Sequence, residues 1–185
     1  MTGEEARDEL TRRARRALEH AEELAPKIGV RRFDERWRLW QYSSFSPWHS
    51  WTLFLLWEGN DLHRAVAREV FWNMPADCHR LSDPLEGVRA GFHSQPTLSV
   101  RDVELSTSEV VSQIEAGRRI AVPLVSFRGG MGLDGTSWGL GIQEGLRALR
   151  LEWWENGPDA WAEATRWAGE LRLFLQTAFD RQATL

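Results

Sequence analysis

One cysteine, one lysine and one tyrosine in 185 residues set the first limits. With Cys78 alone, no disulfide can form within the chain, and a reducing compartment is its natural setting. Of 23 basic residues 22 are arginine, a bias that a GC-rich genome produces without any functional demand. Chemistry that requires a lysine therefore has only Lys27, beside Pro26 at the end of the first predicted helix. Long apolar runs are also missing. The longest, Leu53 to Trp57, is far too short to cross a bilayer, so no membrane association is expected. Met1 to Glu9 is charged and lacks the apolar core of a signal peptide, and the expected location is the cytoplasm. A net charge of −4 provides no attractive field for nucleic acid.

What is present is globular. Hydrophobic residues at 42% against 27% charged residues can build a core and exclude a disordered chain. The length suits a single α+β domain, with residues 1–29 as a loosely attached N-terminal helix and residues 30–185 as the core. Leu10, Ala14, Leu18 and Ala21 recur at helical spacing within residues 4–25, a thin and mostly small apolar stripe. Strands are expected over Arg36 to Tyr42, Trp51 to Trp57 and Leu62 to Trp72, the last two joined by the turn Glu58-Gly59-Asn60-Asp61. Residues 73–96, punctuated by Pro75, Pro84 and Pro96, read as irregular, with a short helix starting at Ser82-Asp83-Pro84.

Thr97 to Val103 reads as a strand. Ser106-Thr107-Ser108-Glu109 then has the form of a capping box opening a helix that Gly117 would end. Ile120 to Phe127 reads as a further strand. Trp138 to Ile142 and Leu146 to Trp154 form a hairpin, and Asn156-Gly157-Pro158-Asp159 opens a final helix striped by Trp161, Ala164, Ala168, Leu171 and Leu175. This order predicts a tryptophan-rich, mainly antiparallel sheet with N-terminal, middle and C-terminal helices packed on it.

Few segments carry chemistry. Gly130-Met131-Gly132-Leu133-Asp134-Gly135 is a literal G-x-G-x-x-G, but no helical pattern follows it and no lysine lies on the next strand. It reads as a glycine-rich turn, and no cofactor is expected. A hydrolase or transferase is the alternative reading, with a site drawn from His49, Cys78, His79, His93 and Asp134 at one end of the sheet. Cys78, His79 and His93 have non-standard spacing for a metal, and no metal is expected. The run Arg12, Arg13, Arg15 and Arg16 is interleaved with glutamates and reads as a solvated helix face.

The compositional anomaly is tryptophan, eleven against one tyrosine. Most must be core, yet Trp48 and one of the pair Trp153 and Trp154 are expected at the surface. With Arg128, at the head of the glycine-rich segment, they make an aromatic and arginine surface of the kind that binding hot spots favour. The expected function is a non-catalytic binding or interaction protein of bacterial type, recognising a protein partner or a small ligand, with a toxin-neutralising immunity role inside that class.

Overall fold

The computed structural model describes residues 3–25, 33–82, 95–123 and 134–183. Helix α1 (Gly3–Glu19) runs into a short 3₁₀ turn (Ala21–Glu23). Strands β1 (Glu35–Ser43), β2 (Trp48–Glu58) and β3 (Asp61–Trp72) follow, then α2 (Met74–Ser82), β4 (Leu98–Leu105) and α3 (Thr107–Arg118). The chain closes with β5 (Thr136–Glu144), β6 (Arg147–Trp154), a 3₁₀ turn (Asp159–Trp161) and α4 (Ala162–Ala183). The six strands form one antiparallel sheet in the order β4-β3-β2-β1-β5-β6. After β4 the chain crosses the sheet through α3 to add the β5–β6 hairpin on the far side of β1.

Each strand sends alternate residues to opposite faces, so the sheet has two cores. The first gathers Trp37, Leu39, Trp51, Leu53, Leu55 and Leu140 under α3 and α4, whose Val110, Ile114, Trp167, Leu171 and Leu175 seal it. The second gathers Trp40, Tyr42, Val70 and Trp72 under α1. This is why β2 reads as apolar on both faces: Leu53 and Leu55 serve one core while Phe54 is buried on the other side.

The N-terminal helix is not loosely attached. Its thin stripe is completely closed, with Leu10, Ala14 and Leu18 buried, and its C-terminal end is held by the sheet. Ser50 Oγ donates to the Leu18 carbonyl at 2.9 Å and an Arg38 amine to that of Glu19 at 3.0 Å. Arg68, fully buried, donates to the carbonyls of Ala21 (2.8 Å) and Leu24 (3.1 Å) while gripping Asp102 with two bonds of 2.6 and 2.7 Å. The carbonyls that a helix leaves open at its end thus find partners on strands. Small side chains along the stripe allow that close approach.

Four local expectations are corrected. Residues 73–82 are not irregular, because α2 begins there. Pro75 occupies the helix's first turn, where its missing N–H costs nothing, and Asn73 Oδ1 accepts the Ala76 N–H at 3.3 Å. Gly117 does not end α3 but lies inside it, where a Cβ would come within 2.4 Å of the Trp167 ring. The capping box is unmade, since Ser106 Oγ pairs with Ser108 Oγ at 3.0 Å and makes no bond to the helix backbone. Ile120–Pro123 is not strand. The Ile120 N–H bonds back to the Gly117 carbonyl (3.1 Å), and the Pro123 carbonyl accepts the Trp161 indole N–H (3.4 Å). The rest of that predicted strand, the segment after Ser82 and most of the glycine-rich turn lie outside the described residues.

Two substitutions test this packing. Leu55→Ala is expected to cost roughly 2–5 kcal/mol in chemical denaturation; a change within about half a kcal/mol would show that the core is not closed over β2. Gly117→Ala should lower the melting temperature. Helix propensity favours alanine by about 1 kcal/mol, so a gain would show that Trp167 yields freely.

Candidate functional site

The described carboxylates that are almost fully buried, Glu35, Glu69 and Asp77, share one arrangement. Each accepts an indole N–H and faces an arginine. Glu35 takes Trp37 (2.5 Å) and Trp57 (3.1 Å) with Arg118 at 3.0 Å. Asp77 takes Trp72 (2.8 Å) with Arg80 at 2.9 Å, and receives the Thr97 N–H (2.7 Å) and hydroxyl (2.8 Å). Glu69 takes Trp51 (3.1 Å) with Arg101 Nε at 2.8 Å. A buried indole N–H without an acceptor is costly, and so is a buried carboxylate without donors. Each cancels the other, so these acids are structural.

Glu69 has one further neighbour. His49 Nδ1 stands 3.6 Å from its Oε1, too long for a hydrogen bond, and the imidazole stacks on Trp51 (centroids 5.2 Å, 9° between planes). Burial pushes the Glu69 carboxyl up, the adjacent imidazole and the Arg101 guanidinium pull it down, and the pull wins, leaving it below the usual 4.5.

The registers place His49 in one row that crosses the whole sheet: Trp153, Trp138, Gln41, His49, Phe71 and Ser99. Trp153 of this row belongs to the first core, and Trp138 packs against that core. At the row's β5–β6 end a cleft of about 440 Å³ opens between the sheet and the first half of α4. Trp138 and Trp153 form its sheet side, and Thr165, Arg166, Gly169 and Arg172 its helix side. The Arg172 guanidinium lies over the Trp138 ring, 5.9 Å from its centroid. The turn after β6 closes the end of the cleft. Glu155 there holds φ +51, the one positive value among described non-glycine residues, and its carboxylate accepts the Thr136 N–H at 2.7 Å. Gly157, at φ +74, leaves the space that Thr165 and Trp153 occupy.

The residues singled out from sequence scatter. Trp153 lines the cleft and is buried, and Trp154 beside it is half-buried on the opposite face. Trp48 is not in a loop but opens β2. It is half-buried, stacked on Tyr42 (4.6 Å), and donates its indole N–H to the Ser43 carbonyl at 2.8 Å. Arg15 lies over both rings. Burial pushes that tyrosine hydroxyl up to about 12, so it stays protonated.

His49 faces the first core, whereas Cys78 and the exposed His79 sit on α2, which packs on the second. Cys78 has Arg7 and Asp77 as charged neighbours, and burial pushes its thiol up, away from a reactive thiolate. Asp134 is exposed ahead of β5. His93 and Arg128 lie outside the described residues. No set of three metal-ligating side chains converges among the described residues.

Sequence reading missed Trp138, Arg166 and Arg172 as neighbours, because only the register and the crossing of α4 bring them together. One signal was available. Gly169 sits mid-helix, where glycine costs about 1 kcal/mol against alanine, and no atom lies within 4 Å of where its Cβ would be. Packing does not require this glycine, and it faces the cleft. Compared with known proteins, the chain matches no family model, no curated protein and no solved structure.

Because its pKa is depressed in the fold, Glu69 contributes stability that is complete above the ordinary carboxylate range and is lost as pH falls through the lowered value. Glu69→Gln should lower the melting temperature at neutral pH and narrow its gap to wild type as the solution is acidified. Parallel melting curves at all pH values would mean that the carboxylate is not held by these partners.

Proposed function

We propose that the protein is a non-catalytic binding module whose ligand seats a flat, anionic group in the cleft between β5–β6 and α4. The observation that carries this reading is the pairing of indole walls with uncompensated arginines. Among the described residues, neither Arg166 nor Arg172 has a carboxylate partner, and both line the cleft beside Trp138 and Trp153. The acids of the cleft lie in the segment after β6: Glu155 accepts the Thr136 N–H, and Asp159 opens the 3₁₀ turn ahead of α4. The formal charges of the lining balance, but neither guanidinium is held by an acid, so both are open to an anionic ligand. Planar guanidinium groups match a carboxylate with two parallel hydrogen bonds, and an aromatic ring stacks on indole.

Gly169 supports the same reading, since its missing side chain keeps the helix wall open over the rings. The alternative of a His/Cys enzyme lacks such support, because the chain sets His49 and Cys78 on opposite faces of the sheet. An immunity-type interaction protein remains within the binding class, with this cleft as the place where a partner's acidic aromatic group would dock.

Titration with naphthoate, followed through the indole N–H signals of Trp138 and Trp153, tests the reading. Naphthoate should shift both signals and bind at least about tenfold more tightly than the neutral naphthamide, the factor of one charge-assisted hydrogen bond. Arg172→Gln should remove that preference, and Gly169→Leu should abolish binding while preserving or raising the melting temperature. Unmoved Trp138 and Trp153 signals, or unchanged binding in Gly169→Leu, would overturn it.

A further inference from the structure

The two edges of the sheet differ in a way that bears on assembly. On β4 the charges are segregated by face: Asp102 and Glu104 lie on one, Arg101 on the other. A second β4 laid antiparallel and centred on Val103 would set Asp102 against the partner's Glu104, and one centred on Arg101 would set arginine against arginine. Such an edge resists pairing.

The opposite edge is of another kind. Only the inner side of β6 is paired, through β5, and among the described residues nothing covers its outer side. The residues Arg147, Ala148, Leu149 and Arg150 are exposed, and Leu146 at the hairpin tip is fully exposed. Arg150 and Glu152, two residues apart on the same face, pair with each other at 2.6 Å, and Arg150 also reaches Glu19 (3.4 Å) and lies over the Trp40 ring (4.7 Å), yet each stays about half exposed.

In an antiparallel pair related by a two-fold axis, directly opposed residues must lie on the same face, which allows few registers. Centring on Arg150 sets arginine against arginine. Centring on Leu151 sets Arg150 opposite the partner's Glu152 and Glu152 opposite the partner's Arg150. In that register Leu149 meets the partner's Trp153 and Ala148 meets the partner's Trp154. In that register the charges alternate across the seam, and the exposed Leu149 and Ala148 gain aromatic neighbours.

We infer that β6 is a self-association edge: two copies of this chain join β6 to β6, antiparallel and centred on Leu151, into one continuous twelve-stranded sheet. The inference rests on the edge and its charges alone, independent of any ligand in the cleft. The net charge of −4 per chain opposes the approach only weakly.

Light scattering coupled to size exclusion across a dilution series reads the outcome. Wild type should move toward twice the 21.3 kDa of one chain as concentration rises. Arg150→Glu, which sets glutamate against glutamate, should stay monomeric, and the exchange Arg150→Glu with Glu152→Arg should restore the dimer. Leu149→Lys, at an exposed position that leaves the fold intact, should also weaken it. A wild type that stays monomeric at millimolar concentration would overturn the inference. So would a dimer unaffected by both Arg150→Glu and Leu149→Lys, with circular dichroism confirming that each variant is folded.

Discussion

A buried indole N–H meeting a buried carboxylate is the contact on which the architecture depends. Trp37, Trp51, Trp57 and Trp72 are too large to leave outside a core of this size, yet each brings a donor that cannot go unpaired in an apolar interior. Glu35, Glu69 and Asp77 supply the acceptors, and Arg118, Arg101 and Arg80 neutralise the charge at the rim. Breaking any one of these sets strands a charge or a donor together, so the cost is coupled. For these four tryptophans the buried acid and the indole answer one another, whereas Trp48 and Trp167 donate to backbone carbonyls and the Trp40 N–H is buried without a protein partner.

The same economy operates on the second face. Among the described residues Arg68 is the largest charged side chain fully buried, and it serves Asp102 and the turn after α1 at once. Arg38 and Ser50 complete that end. Because the helix terminus is satisfied by side chains that belong to strands, α1 and the sheet form as one unit. Trp40 fits beneath it only because Gly139 offers no side chain; a Cβ there would come within 2.0 Å of the ring.

Polar groups that the cores consume are unavailable for recognition, and this separates structural from exposed arginines. Arg68, Arg101 and Arg118 are spent on carboxylates, whereas Arg166 and Arg172 face an open cleft with indole rings across from them. The edge strand β6 bounds the same region, so cleft and edge expose the two least enclosed sides of the β5–β6 hairpin.

Much of the fold was legible because it rests on local periodicity. Alternation identified β2, the turn at Gly59 joined it to β3, and the 3.6-residue stripe marked α1 and α4. Pro75 and Gly117 misled because each carries two meanings, helix breaker or tolerated helix residue. Only the capping Asn73 and the distant Trp167 ring decide between them. The chain by itself determined the class of the fold, the strand pattern and the excess of tryptophan needing acceptors. Which acids answer those indoles, which arginines stay free, and how Trp138 meets Arg172 were decided by register and by the crossing of α4. Those are long-range contacts, and local spacing along a chain holds no information about them.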